Sequence, residues 1–170
     1  MNDELMAGAD HADIAAQLRA FGGNLRRARQ RAGLTQAELS SAATLDRAAI
    51  SRIECGERAP DLSTLLRMCA ALDIEPAALL HDIGPETSTR LVRRRDATRT
   101  GDPGASFGAN LKWARTRAGI SQERLALDAK VDRAAISVYE NGGRVPNLRT
   151  VLKLAVKLEI RPALLLNNIY

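Results

Sequence analysis

Most of the chain consists of two copies of one sequence. Residues 21–80 align without a gap with residues 107–166, at an offset of 86 residues, and 31 of the 60 aligned positions are identical. A repeat of this length is too long for one unit of a solenoid and has the size of a small domain that was duplicated. We therefore predict two copies of one fold, at residues 21–83 and 107–170.

The segment before the first copy, residues 1–20, is acidic, with four acidic residues against one arginine. Asp10 is expected to cap a short helical stretch that carries Ile14 and Leu18 on one side, and Gly22–Gly23 are expected to kink any continuation. This N-terminal extension is predicted to be partly helical. It would either dimerise or cover the first copy.

The segment between the copies, residues 84–106, has Gly, Pro, Ser and Thr near both ends and a basic centre, LVRRR. It shows little periodic hydrophobicity, which is typical of a connecting segment. We predict a basic linker. Its charged centre would either follow DNA phosphates or remain a solvated charge run.

Composition favours an all-α protein, because Ala and Leu dominate the hydrophobic residues and aromatic residues make up 3% of the chain. The net charge is +5, and the second copy carries 11 basic against 5 acidic residues. A basic surface favours nucleic acids or acidic membrane surfaces as partners.

Several function classes are disfavoured by what the sequence lacks. It contains no run of about 18 apolar residues and no signal-peptide pattern, so neither a membrane span nor secretion is expected. Cys55 and Cys69 have no neighbouring Cys pair or His cluster, so we expect free thiols, no metal site, no cofactor and a cytoplasmic location. No catalytic motif is found, and an enzyme is the class we expect least.

Each copy contains residues that typically begin and end helices. In the first copy an apolar stripe that includes Phe21 and Leu25 runs to Gly33, a residue that favours the turn ending a helix. Four further helices are predicted from their caps and first residues: Gln36 to about Ala43 after Thr35 with Glu38 as a capping-box partner, RAAISRIE after Asp46, a helix from Asp61 through Leu72, and a fifth near Pro76. The second copy repeats these signals from Ser121 to Pro162.

Two short helices joined by a tight turn form a helix-turn-helix unit. The segments LTQAELSSAATLDRAAISRIECG and ISQERLALDAKVDRAAISVYENG closely resemble the Cro/CI-type (lambda repressor-like, XRE) helix-turn-helix family. Thr44 and Lys130 stand where the family frequently has a turn glycine, and Asp46 and Ala49 stand where Ser or Thr is usual.

The resemblance implies two tandem five-helix domains that bind double-stranded DNA. The chain would then be a bacterial or phage transcriptional regulator, most simply a repressor, whose covalently joined copies act as a built-in pseudo-dimer. The alternative is a protein-interaction module on the same fold, an antitoxin or antiactivator that binds a protein partner. A homodimer and an antagonist or other regulatory protein are further candidate partners.

The resemblance also implies roles for individual residues. Eight residues would form the outward faces of the two recognition helices, namely Arg47, Ala48, Ser51, Arg52, Arg133, Ala134, Ser137 and Val138. Arginine near the start of such a helix can pair with guanine, and a small apolar side chain can pack on a thymine methyl group. Four more residues would contact phosphates, namely Gln36, Gln122, Arg58 and Arg144, although the two glutamines could instead be simple helix caps.

The remaining predicted positions are structural or open. The pairs Arg29–Glu54 and Arg115–Glu140 match ion pairs that join the first helix to the end of the recognition helix in the family. Asp46 and Asp132 are expected to cap the recognition helices rather than to face phosphates. Trp113, the single tryptophan, lies opposite the apolar stripe of its helix and is a candidate interface residue, toward the other copy, a second chain or the linker.

Overall fold

The computed structural model describes residues 2–84, 102–167 and 169, with side chains described from residue 13 onward. All secondary structure in this part of the chain is helical. Most of the predicted linker, including LVRRR, lies outside the described residues. The chain divides into two compact units, Met1–Glu75 and Pro76–Tyr170. No helix among the described residues is long and apolar enough to cross a membrane.

The first unit contains four α-helices: α1 (Asn2–Arg31), α2 (Gln36–Ala42), α3 (Arg47–Glu54) and α4 (Leu62–Leu72). The predicted capping box forms, since the Thr35 side chain accepts a hydrogen bond from the Glu38 backbone N–H and the Glu38 side chain accepts one from the Thr35 N–H. Each helix turns apolar side chains inward, and the fully buried core includes Leu18, Phe21, Leu25, Leu39, Ile50, Ile53, Leu65 and Met68.

The helix α1 continues without a break through Gly22–Gly23, where the sequence suggested a kink. A Cβ atom on Gly22 would lie 2.4 Å from the carbonyl oxygen of Glu54 and 2.5 Å from that of Ile53. The glycine is thus present because the end of α3 approaches the α1 backbone closely, not because the helix breaks. Ile14 and Leu18 are buried, so the second half of the N-terminal extension belongs to the domain core and covers the first copy.

The second unit begins with a short 3-10 helix at Pro76–Leu80, which packs against the last helix of this unit. Its α-helices are α5 (Pro103–Arg117), α6 (Gln122–Ala129), α7 (Arg133–Glu140), α8 (Leu148–Lys157) and α9 (Pro162–Leu165). The division between the units thus falls within the predicted first copy, ahead of its fifth helix. The fully buried core here includes Phe107, Leu111, Leu125, Ile136, Leu152, Leu154 and Leu165.

The helix α5 starts at Pro103, inside the segment that the sequence assigned to the linker. The Asp102 side chain accepts a hydrogen bond from the Gly104 N–H at 2.9 Å, and proline occupies the first helical position, where its missing N–H costs nothing. These two signals extend the helix beyond the repeated sequence.

We expect Gly22→Ala to lower the free energy of unfolding by about 1–3 kcal/mol, because its methyl group would push α1 away from the end of α3. Gly23→Ala is the matched control: its Cβ would meet nothing closer than the Arg27 side chain at 3.6 Å. This neighbouring change should stabilise α1 by up to about 1 kcal/mol, because alanine is the better helix former. Urea denaturation followed by circular dichroism measures both, and equal stability of the two variants would contradict the close approach.

Candidate nucleic-acid interface

In each unit two short helices are joined by a tight turn, of four residues between α2 and α3 and of three residues between α6 and α7. The turns pass through Thr44, at φ 54°, and Lys130, at φ 51°. This left-handed conformation favours glycine, which explains why glycine is frequent there in the family that the sequence resembles. In the first unit Arg67 donates a hydrogen bond to the Thr44 carbonyl oxygen at 3.0 Å and so holds the turn.

The second helix of each unit is amphipathic. In α3, Ile50 and Ile53 are fully buried, and the other face is open to solvent. Four residues of α3 are predicted to face DNA. Of these, Arg47, Ala48 and Arg52 are exposed and Ser51 is half-buried.

The helix α7 repeats this arrangement with Ile136 and Tyr139 inward. The Tyr139 ring meets Phe107 edge to face, with ring centroids 6.4 Å apart. The predicted outward residues again share one accessible face: Arg133, Ala134 and Val138 are exposed and Ser137 is half-buried. Contact of either face with DNA bases stays a prediction.

The helices α3 and α7 begin differently. Asp132 caps α7 as expected, because its carboxylate accepts hydrogen bonds from the backbone N–H groups of Ala134 at 2.6 Å and Ala135 at 3.3 Å. Asp46 occupies the N-cap position of α3, but its side chain makes no capping hydrogen bond. The expected side-chain cap is therefore absent from the first copy. Its carboxylate is exposed to solvent.

A buried carboxylate fixes the far end of α3. Arg29 donates from Nε to Glu54 Oε1 at 2.6 Å and from Nη2 to Oε2 at 3.1 Å, and Gln36 Nε2 donates to Oε2 at 2.9 Å. Arg29 also donates from Nη1 to the Leu34 carbonyl oxygen at 2.7 Å. These three side chains, which we call the Arg–Glu–Gln cluster, join the end of α1 and the start of α2 to the last residue of α3.

The second unit contains the same cluster in Arg115, Gln122 and Glu140. The arginine donates to the two carboxylate oxygens at 2.5 and 3.0 Å, and the glutamine donates at 2.8 Å. The predicted pairings Arg29–Glu54 and Arg115–Glu140 thus form two ion pairs, the first buried and the second partly buried. The part played by the two glutamines was missed, although the repetition of Gln at the same distance from Glu in both copies carried the signal.

This geometry changes what the glutamines can do. One N–H of each amide donates to the cluster carboxylate, so neither Gln36 nor Gln122 is a simple helix cap. A phosphate contact would use the second N–H of the amide, and it stays a prediction.

The cluster shifts the pKa of its members. Burial raises the pKa of Glu54, but hydrogen bonds from Arg29 and Gln36 and the positive charges of Arg29 and Arg26 outweigh it and leave the pKa below its usual range. For the same reasons the pKa of Glu140 is lowered. Both carboxyl groups are therefore charged acceptors at neutral pH.

The other predicted contacts lie apart from the cluster. Arg58 and Arg144 are exposed in the loops that follow the recognition helices, and Arg58 borders an open groove beside the turn at Thr44. Trp113 is half-buried, and the Arg117 guanidinium lies 5.7 Å from its ring centroid. It borders a second groove with Leu158 and Ile160. The phosphate and interface roles of these residues stay predictions.

We expect Glu54→Gln to destabilise the first unit by about 3 kcal/mol near neutral pH, because it leaves the buried Arg29 charge without its carboxylate. Since the pKa of Glu54 is lowered in the folded protein, the stabilisation is complete above the unfolded pKa of about 4.3 and is lost as pH falls through the lower folded value. The difference in unfolding free energy between wild type and variant should therefore shrink below about pH 4.

The matched control is Glu57→Gln, which removes an exposed carboxylate that makes no ion pair with the described residues. It should change stability by less than about 0.5 kcal/mol. Urea denaturation at several pH values provides the measurement. The account would be contradicted if the unfolding free energies of wild type and Glu54→Gln differed little, or if their difference did not change with pH. Either result would show that the cluster does not hold α3.

Parts of the chain are similar to a known family and to a solved structure. The model of the family described as Helix-turn-helix, HTH_3, matches twice, at residues 25–79 and 111–165. Among solved structures, the chain is similar to the restriction-modification controller protein C.AhdI from Aeromonas hydrophila. The two are 41% identical over 38% of this chain and 97% of that chain, with a TM-score of 0.37. No match is found among curated proteins.

The two matched regions together span more than half of the chain, and each contains one complete helix-turn-helix, the end of the helix before it and the whole α-helix after it. The chain therefore belongs to the Cro/CI-type (XRE) helix-turn-helix family and carries two tandem copies of its domain.

Proposed function

We propose that the protein is a sequence-specific repressor that places α3 and α7 in the major groove of double-stranded DNA. Membership of the helix-turn-helix family makes it a DNA-binding transcription regulator. Repression, and base reading by these two helices, are the finer steps of the proposal.

The observation that carries the proposal is the repeated outward face. Both helices begin with Arg-Ala and carry Ser as their fifth residue, directly after a fully buried isoleucine. A face shaped only by solvent would have no reason to keep Arg47 and Arg133 at the same place beside Ala48 and Ala134. Arginine can donate two hydrogen bonds to guanine, and alanine leaves room for the approach.

The differences between the faces supply the expected specificity. Arg52 in the first copy is replaced by Val138, which is 41% exposed, in the second. An arginine favours guanine or phosphate, whereas an exposed valine favours a thymine methyl group. We therefore infer two related but unequal half-sites, joined in one operator because the two copies share one chain.

Binding by Arg47→Ala/Arg133→Ala tests the base-reading assignment. With a duplex selected by the wild-type protein from a random pool, we expect at least a tenfold loss of affinity, because each arginine–guanine pair contributes about 1–3 kcal/mol of discrimination. Affinity for a scrambled duplex should fall much less. Fluorescence anisotropy at fixed salt measures both values.

The matched control is Arg31→Ala/Arg117→Ala. It removes the same charge from equivalent positions in the last turns of α1 and α5, outside α3 and α7. This control should weaken binding to both duplexes by a similar small factor, since phosphate attraction is independent of sequence. If the Arg47→Ala/Arg133→Ala protein also loses affinity equally for both duplexes, the two arginines do not read bases.

A further inference from the structure

The first residues of α3 and α7 are both arginine, but their ion-pair partners differ. Arg133 Nη1 lies 3.1 Å from Glu123 Oε1, so the first residue of α7 is ion-paired to the second residue of α6. The residue equivalent to Glu123 in the first copy is Ala37. Within the part of the chain that the structure describes, Arg47 makes no ion pair.

This ion pair contributes little to the fold. The side chains of Arg133 and Glu123 are 68% and 65% exposed, and exposed pairs of this kind have a median contribution near zero. It differs in this respect from the Arg–Glu–Gln cluster, whose carboxylates are buried. The pair does, however, place a carboxylate beside one of the arginines proposed to read bases.

We propose that Glu123 determines the specificity of the second recognition helix, an inference that rests on the DNA-binding function proposed above. The carboxylate neutralises Arg133 and repels phosphate, so it weakens the sequence-independent part of binding. A G·C base pair compensates for the broken ion pair, because guanine O6 and N7 accept from Arg133 while cytosine N4 can donate to Glu123. A phosphate offers no donor to Glu123, and an A·T pair has its N6 donor between the single acceptors N7 and O4, so it offers Arg133 no pair of adjacent acceptors on one base.

The first copy lacks the additional discrimination that a carboxylate would give. Arg47 has no competing carboxylate at position 37 and can donate either to guanine or to a phosphate without giving up a partner. We therefore infer that the half-site read by α7 requires a G·C pair at the Arg133 position more strictly than the half-site read by α3 requires one at the Arg47 position. Glu123 is a specificity residue that acts partly through Arg133.

Two reciprocal variants test this inference, Glu123→Ala and Ala37→Glu. Affinity is measured for the selected duplex and for duplexes in which a G·C pair of either half-site is replaced by A·T, over a series of salt concentrations. For the wild type we expect roughly tenfold or greater discrimination at the second half-site. Glu123→Ala should reduce this ratio severalfold, toward the ratio found at the first half-site, by strengthening binding to the replaced duplex. The slope of log affinity against log salt should steepen by up to about one.

Ala37→Glu should increase discrimination at the first half-site and weaken binding to its A·T duplex. Asp128→Ala is the matched control, because Asp128 also lies on α6 but is paired with Arg124 at 2.8 Å rather than with Arg133. It should leave the discrimination ratio at both half-sites unchanged. Thermal melting checks that the variants, all at exposed or half-buried positions, retain the fold.

The outcomes separate the inference from the function on which it rests. Wild-type discrimination at the second half-site that survives Glu123→Ala, or that Asp128→Ala reduces equally, would overturn the role of Glu123 and leave the repressor proposal intact. A wild-type protein that discriminates at neither half-site would contradict base reading itself.

Discussion

The positions of α3 and α7 depend on a buried carboxylate at the last residue of each helix. Glu54 and Glu140 each receive hydrogen bonds from an arginine of the preceding long helix and a glutamine of the helix before the turn. The same helix ends approach the long helices so closely that Gly22 and Gly108 cannot carry a Cβ atom without a clash. Removing one partner from such a cluster leaves an uncompensated buried charge. The cluster therefore constrains the helix more strongly than the residues on the exposed surface of the helix do.

This anchoring explains how two copies can share one scaffold and present different chemistry. The inward residues, the cluster and the close-approach glycine are the same or equivalent in both copies, while the solvent face varies at Arg52 and Val138 and at Ala37 and Glu123. Substitutions on that face cost little stability because they touch neither the core nor the cluster. The affinity of each copy for DNA can therefore change without changing the fold.

Most of the helical framework followed from sequence because its signals are local. Thr35 with Glu38 fixed the start of α2, and Asp61 caps α4 through the Thr64 N–H as expected. The errors came where local signals compete with packing: glycine at 22 suggested a kink, yet it serves a contact with α3. The repeat distinguishes the two glycines, since Gly22 recurs as Gly108 whereas Gly23 is replaced by Ala109. This difference indicates that only the first glycine is required. The pairing of Glu123 with Arg133 needs the distance between two helices, which no spacing along the chain provides.

Selection from a random duplex pool by the full-length protein, near physiological salt and followed by sequencing, tests the central claim most directly. The account predicts enrichment of two related but unequal half-sites at a fixed spacing, with a G·C pair required most strictly in one of them. A pool that shows no enriched motif, with binding that disappears as salt rises, would contradict it and would favour a protein-binding role for this fold.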